Sequence, residues 1–270
     1  MQVTVGDLTF DVVVDGPHDA PAVLLLHGFP QTSHCWRLVR PWLTDFRVIA
    51  PDQRGYSPGA RPDDIEAYRI QHLAGDAVAL LDALGIEQAH VVGHDWGAAT
   101  AWQIGARHAD RVRTLTAVSV PHPKAFIEAL RTDDDQRQKS LYMRDFAQPG
   151  YAQTLLRDDC ALLRAVFGDL PGDVDVDHVV ARAREPGAVD AWLRWYAAQR
   201  LEDIVDTPSV TVPTMHVWSD GDVALGRAGA EATARFVDAP YRLEVLAGVS
   251  HWIPEQAADQ LGPLLLEHLR

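Results

Sequence analysis

The residues able to do chemistry in this chain gather at one bend. Residues 90–100 read His, Val, Val, Gly, His, Asp, Trp, Gly, Ala, Ala, Thr: a buried strand running into a helix, with Asp95 held between Gly93 and Gly97. That is the nucleophile-elbow pattern, a cramped strand-to-helix turn that lifts one side chain out of the sheet. The two glycines are demanded by sterics, because strand and helix nearly touch there and the central residue takes a strained backbone conformation. A serine at the centre would predict acyl chemistry through an alkoxide. Asp95 instead offers a carboxylate, ionised at neutral pH because its ordinary pKa is about 3.9. Such a group attacks carbon by displacement and is left as an ester. The plainer alternative is an aspartate that caps the following helix.

An aspartyl ester must be hydrolysed, which calls for a base, an acid to orient it and an oxyanion hole. With an elbow the partners follow in chain order, nucleophile, acid, histidine. Of the 12 histidines, His251 in Gly248 Val249 Ser250 His251 Trp252 lies on the required loop, between the last strand and the last helix. The loop Trp218 Ser219 Asp220 Gly221 Asp222 offers two acids. Asp222 is favoured because it stands further past the turn, ahead of Ala224 and Leu225, which leaves Asp220 as a turn former bonding its own loop. The other loop able to carry the acid reads Pro121 His122 Pro123 and holds no carboxylate. The backbone N–H groups of Trp96 and of Phe29, in His27 Gly28 Phe29 Pro30, are the expected oxyanion donors.

These residues need a sheet that ends on one side of a cleft. Residues 3–10 and 11–14 suggest an antiparallel hairpin turning at Gly6 and Asp7. Ala22–Leu26 is an unbroken apolar run, implying a strand buried on both faces. A helix over residues 33–43, a strand over 47–50, a helix over 70–84 ended by Gly85, the elbow strand over 89–92, a helix over 98–107 and a strand over 112–120 follow. Residues 51–59 form a turn-rich loop with a buried-looking charge pair, Asp52 and Arg54. The alternation predicts an α/β architecture, a mostly parallel doubly wound sheet with helices on both faces. Residues 123–207 break the rhythm with amphipathic helical segments, interrupted near Asp133, Gly150, Pro171 and Pro186. It resumes with a strand over 214–218, a helix near 227–236, a strand over 242–246 and a helical stretch over 254–268 broken at Gly262 and Pro263. The expected organisation is a core domain of residues 1–122 and 208–270 with a helical cap of residues 123–207 over the carboxyl ends of the strands, where ligands of open parallel sheets bind.

Composition narrows the partners. A net charge of −14 argues against nucleic acid or an anionic membrane as partner. No apolar run approaches the roughly 18 residues needed to cross a bilayer, and the amino terminus reads as strand rather than leader. Cys35 and Cys160 match no metal or redox spacing and are expected to be reduced thiols. A cytoplasmic protein is the expectation. The histidines show no metal-ligand spacing.

Together these motifs resemble the α/β-hydrolase superfamily and, within it, the epoxide hydrolases. His27 to Pro30 is similar to that family's oxyanion loop, Gly93 His94 Asp95 Trp96 Gly97 to its nucleophile motif, and Asp52 to Ser57 to its structural Asp, Arg, Gly loop. The resemblance implies an α/β-hydrolase fold with an inserted cap, and conversion of an epoxide to a vicinal diol by Asp95, His251 and Asp222 without metal or organic cofactor. It further implies two cap tyrosines that hydrogen-bond the epoxide oxygen. Tyr142, ahead of Phe146 and Pro149 Gly150, and Tyr196, in Leu193 Arg194 Trp195 Tyr196, match them, with Tyr151 as the substitute for Tyr142. Tyrosine suits the task because the breaking carbon–oxygen bond leaves an alkoxide, which a phenol can protonate or hydrogen-bond. Phe29, Trp96, Trp192 and Trp195 are expected to line the substrate site. The implied partners are a small-molecule epoxide and water, with a homodimer as candidate assembly. A haloalkane dehalogenase, using the same Asp with indole N–H groups of Trp96 and Trp192 or Trp195 on the halide, is the first rival. A catalytically silent binding protein of the same fold is the second.

Overall fold

The computed structural model describes residues 1–168 and 174–270. β1 (Gln2–Val5) and β2 (Leu8–Asp15) form the opening hairpin, with Gly6 at φ +57° in its turn. β3 (Ala22–Leu26), β4 (Arg47–Pro51), β5 (Ala89–His94), β6 (Val112–Val118), β7 (Thr214–Ser219) and β8 (Tyr241–Leu246) follow. They make one eight-stranded sheet in the order β1-β2-β4-β3-β5-β6-β7-β8. The pairs β1 with β2 and β2 with β4 are antiparallel, and every pair from β4 to β8 is parallel.

Alternate residues of the central strands face opposite ways. Leu24, Leu26 and Val91 pack under α1 (Ile70–Ala83) and α2 (Trp96–Arg107), with Leu80, Leu81 and Trp102. Val23, Leu25 and Val92 pack on the other face with Trp36, Leu261 and Leu265. Burial on both faces explains why β3 reads as a continuous apolar run.

Between β6 and β7 the described residues carry helices and no strand: α3 (Pro123–Thr132), α4 (Asp134–Lys139), α5 (Tyr142–Phe146), α6 (Tyr151–Ala165), α7 (Val176–Ala183), α8 (Ala188–Ala197) and α9 (Leu201–Val205). Asp133 caps α4, Gly150 at φ +80° precedes α6, and Gly187, next to Pro186, precedes α8 at φ +71°. The expected interruption at Pro171 lies outside the described residues. The apolar faces of α5 to α8 bury Phe146, Leu155, Leu163, Val180, Trp192 and Trp195 against Phe29, Tyr56, Tyr68 and Leu73. The chain ends with α10 (Arg227–Ala232), α11 (Ile253–Gln256) and α12 (Ala258–His268).

Four local expectations are corrected. Residues 33–43 are not one helix but two 3₁₀ turns, Ser33–Trp36 and Arg40–Trp42. Pro41 has no N–H to continue a helix, and Asp52 Oδ1 takes the Ser33 N–H at 2.9 Å, fixing the first turn to β4. β6 stops at Val118, because Ser119 turns the chain at φ +71°. The last helical stretch breaks at Ala257 rather than at Gly262 and Pro263. Pro263 leaves the carbonyl of Asp259 without its helical donor, and both residues are exposed, so water can serve it. Gly262 is a contact residue, since a Cβ there would stand 2.3 Å from Trp42 Cγ. Asp52 and Arg54 do not pair with each other. Arg54 makes a two-pronged bond to Asp76, 2.6 Å on each prong, while Asp52 faces Arg182 at 3.4 Å.

Candidate active site

Asp95 is the hinge between β5 and α2, at φ +53° and ψ −123°. A side chain other than glycine costs on the order of 1–3 kcal/mol in such a region, so the surroundings must hold it there. They do so by contact: a Cβ on Gly93 would lie 2.1 Å from the Gly97 carbonyl oxygen, and one on Gly97 would lie 2.1 Å from that of Leu26. A third glycine shares the constraint, because a Cβ on Gly28 would stand 2.3 Å from Asp95 Oδ1. The carboxylate is buried yet divided in its tasks. Its Oδ1 accepts the Phe29 N–H at 2.8 Å, and its Oδ2 faces His251 Nε2 at 3.5 Å. Trp96 opens α2, so its N–H is one of the helix-start donors without an intrahelical acceptor.

His251 is fixed from behind. Its Nδ1 bonds Asp222 Oδ2 at 2.8 Å, while Asp222 Oδ1 accepts the N–H groups of Ala224 and Leu225 at 2.7 and 2.9 Å. Burial would raise the pKa of Asp222, but His251 and those two N–H groups outweigh it and hold the carboxyl below its ordinary value. Burial likewise works against a charged His251, yet the carboxylates of Asp222 and Asp95 push it up to about 10. Asp220 serves structure: its Oδ1 accepts the Gly248 N–H at 2.7 Å, so it ties the acid loop to the histidine loop rather than bonding within its own.

His94 and Ser119, which sequence reasoning did not single out, complete this mount. His94 Nε2 and Ser119 Oγ both donate to the His251 carbonyl, at 2.8 and 3.2 Å. Burial lowers the His94 pKa to about 4, so its ring is neutral. The signal that could have found His94 is its place inside the elbow motif itself.

Tyr142 of α5 and Tyr196 of α8 stand opposite, their ring centroids 6.2 Å apart. Burial, with the negative charge of Asp95 adding to it, raises both phenols well above their ordinary pKa, so both hold their protons. Two cavities meet where these rings face Asp95. One, of about 130 Å³, is lined by Trp96, Val120, Phe126, Ser140, Met143 and Leu225, besides Asp95 and both tyrosines. The other, of about 210 Å³, is lined by Phe29, Phe146, Val223, His251 and Trp252 with the same three residues. Among the described residues, Asp95 and His251 are the only charged or chargeable groups in those linings apart from the phenols.

Not every expected residue is there. Phe29 and Trp96 line the cavities, but Trp192 and Trp195 do not. Trp192 is stacked on Tyr56 at 4.9 Å, and Trp195 donates its Nε1–H to the Arg54 carbonyl at 2.8 Å. Both are fully buried, filling the seam between α8 and the loop after β4. Tyr151 packs on Phe146 at 5.7 Å and lines neither cavity. Cys35 and Cys160 are buried free thiols. Among the described residues no group of three or more His, Cys, Asp or Glu side chains could hold a metal ion, and no helix is long and apolar enough to cross a membrane.

Comparison with known proteins gives the family of this fold. Residues 21–258 match the family model described as alpha/beta hydrolase fold. The AB hydrolase superfamily protein YfhM of Bacillus subtilis is 34% identical over 99% of this chain and 96% of its own. Epoxide hydrolase A of Mycobacterium tuberculosis is 33% identical over 96% of this chain and 93% of its own. Among solved structures, the epoxide hydrolase of Bacillus megaterium in complex with an inhibitor superposes with a TM-score of 0.90 at 26% identity, over 100% of this chain and 99% of that one. The chain therefore belongs to the α/β hydrolase fold family, in the group that includes the epoxide hydrolases.

Proposed function

We propose that this chain is an epoxide hydrolase, with Asp95 as nucleophile, His251 as base, Asp222 as the acid that orients it, and Tyr142 and Tyr196 as the proton-donating pair. The observation that carries the reading is one carboxylate addressed from both sides: Oδ1 on the Phe29 N–H, Oδ2 toward His251, and two protonated phenols across the same cavities. Residues 123–207 act as the lid that brings those phenols over the strand ends. Apolar linings favour uncharged, apolar epoxides, and a cytoplasmic location with water as the second substrate accompanies the reading.

In the first step Asp95 Oδ2 attacks an epoxide carbon, the carbon–oxygen bond breaks, and the phenols stabilise and protonate the departing oxygen. The step consumes the charge of Asp95. With one of its two carboxylates neutralised, His251 is no longer held up to about 10 and gives up its proton, which returns through water to the phenolate left by the first step, so the ester state carries a neutral imidazole and two neutral phenols. In the second step that imidazole takes a proton from water, and the hydroxide attacks the ester carbonyl. The oxyanion develops on Oδ1, which accepts the Phe29 N–H at 2.8 Å, with the Trp96 N–H at the start of α2 as the expected second donor. Collapse releases the vicinal diol and restores the aspartate and the imidazolium.

A dehalogenase reading loses its donors. The Trp195 N–H is already given to Arg54 O and Trp192 lines neither cavity, which leaves Trp96 as the one of the three indoles beside Asp95. The test is diol formation from styrene oxide. Asp95→Ala should lower it by about 10⁴-fold or more, as loss of a nucleophile does, and undiminished turnover would end the proposal. Replacement of His251 should let an intermediate accumulate that is heavier than the protein by the mass of the epoxide.

A further inference from the structure

Gln136 is a fully buried side chain on α4, outside both cavities and absent from every motif of the sequence. Buried amides are kept where every polar atom finds a partner, because an unpartnered one is penalised. Those of Gln136 are spread over two parts of the site. Its Oε1 accepts the Gly226 N–H at 2.8 Å, and its Nε2 donates to the Ala224 carbonyl and to Ser140 Oγ, each at 2.9 Å.

The first two bonds grip the loop 224–226. That loop supplies the N–H groups of Ala224 and Leu225 that hold Asp222 Oδ1, and Asp222 in turn holds His251. The third bond grips Ser140, which closes α4 and whose carbonyl accepts the Met143 N–H at 3.2 Å in the first turn of α5. Tyr142 stands on that turn. Ser140, Tyr142, Ala224 and Leu225 line one cavity together with Asp95. No other described side chain is recorded as bonding both the Asp222 loop and the segment carrying Tyr142.

We propose that Gln136 is a positioning residue for the reaction, a clamp that fixes the proton-donating side of the site to the Asp222–His251 side. The inference rests on the reading of the chain as an epoxide hydrolase. Gln136 touches no substrate and acts through Ser140 on Tyr142 and through the loop 224–226 on Asp222.

The two steps of the reaction, ester formation and ester hydrolysis, read the two arms of the clamp separately in single-turnover experiments with styrene oxide. Gln136→Met, close in size and without hydrogen bonds, should slow both steps by about tenfold each, the equivalent of a lost net hydrogen bond on each side, while KM changes less. Ser140→Ala cuts the Tyr142 arm alone, and should slow ester formation more than ester hydrolysis. Gln136→Glu gives a third readout. Burial and the neighbouring carboxylates of Asp133 and Asp135, which lie beside Gly226, keep the introduced carboxyl protonated at low pH. Once ionised it would face the Ala224 carbonyl with no proton to offer, so kcat should acquire an alkaline limb that the wild type lacks. Thermal unfolding confirms that each variant is folded at the assay temperature, and Ser140→Ala and Gln136→Glu decide the matter if Gln136→Met is not. Wild-type rates in both steps, with an unchanged pH profile, would overturn the clamp. Equal slowing of both steps in Ser140→Ala would overturn it too. A wild-type protein that turns over no epoxide would instead remove the reading on which the clamp rests.

Discussion

Asp95 is addressed from two sides that are built by different means. On the strand side, Gly28, Gly93 and Gly97 let backbone meet backbone at distances no Cβ could tolerate, and His251 is mounted by Asp222, His94 and Ser119. On the helical side, Tyr142 and Tyr196 are held by an aromatic cluster in which Phe29, Phe146 and Trp96 meet Tyr196 edge to ring and Phe146 meets Tyr142 likewise. The first side has one solution, because backbone cannot yield. The second is a packing solution, in which several apolar side chains of similar volume would serve.

Glycine substitutions break this comparison most sharply. Gly97→Ala would put a methyl group 2.1 Å from the Leu26 carbonyl oxygen and 2.6 Å from that of His27. Neither can move without opening β3, so expression without folding, or a stability loss of at least about 4 kcal/mol, is expected. Gly187, at the start of the helix that carries Tyr196, has positive φ but nothing within 4 Å of a built Cβ. Gly187→Ala should therefore cost only about 1 kcal/mol, the strain of the left-handed backbone. Denaturant unfolding of the two variants measures the difference, and equal losses would mean that the elbow is less constrained than its contacts imply.

The tyrosines come next. Tyr142→Phe and Tyr196→Phe each keep the ring that packs and remove the hydroxyl. Ester formation should slow by about 10²-fold in either, in line with general-acid contributions, and by more in the double variant. Ester hydrolysis, which uses His251, should be unchanged. A variant that slowed both steps equally would contradict the division of labour between the two sides.

A smaller effect separates the sides by pH. His251 is raised from 6.5 to about 10 in the folded protein. A group whose folded pKa is raised stabilises fully below its unfolded value and loses that contribution as pH rises through the folded one. Tm should therefore fall between pH 6.5 and about 10, with a shallower slope in Asp222→Asn, which removes one of the two charges holding the imidazolium. Asp222 has the opposite sign: its pKa is lowered, so its contribution is present above the ordinary carboxylate value and is lost as pH falls below it. Tyr142→Phe should leave the slope from pH 6.5 to 10 unaltered, since both phenols are raised well above their ordinary range.

The same contrast governs what could be read from the sequence. The elbow was legible because steric demand writes glycines at fixed spacing around one residue, and the sheet because strands buried on both faces read as unbroken apolar runs. The preference for Asp222 over Asp220 follows from loop position; Asp222 bonds His251 and Asp220 bonds Gly248. Helical periodicity gave the packed face of α8 but not which of its aromatics meets the cleft and which meets the core. Tyr196 lines both cavities, while Trp192 and Trp195, one turn or less away, are spent on Tyr56 and Arg54. Gln136 left no signal, because a buried amide on a helix of composition Asp Asp Gln Arg Gln Lys reads as solvent-facing until its partners, 88 and 90 residues away, are known.

Trp195 gives the mildest and most discriminating test of that distinction. A tryptophan in the substrate site would change KM when altered and leave the fold alone. One that seals the seam would do the reverse. Trp195 is fully buried, its indole N–H is committed to the Arg54 carbonyl at 2.8 Å, and its ring stands edge-on to Tyr56 and Trp96. Trp195→Phe keeps an aromatic ring but leaves the Arg54 carbonyl without that donor, a loss of about 1–2 kcal/mol from the bond and the missing volume together. For a chain of this size that corresponds to a fall in Tm of roughly 2–8 °C, with KM for styrene oxide within about twofold of wild type. A shifted KM at unchanged Tm would return Trp195 to the substrate site and remove the sharpest difference between the residues of α8.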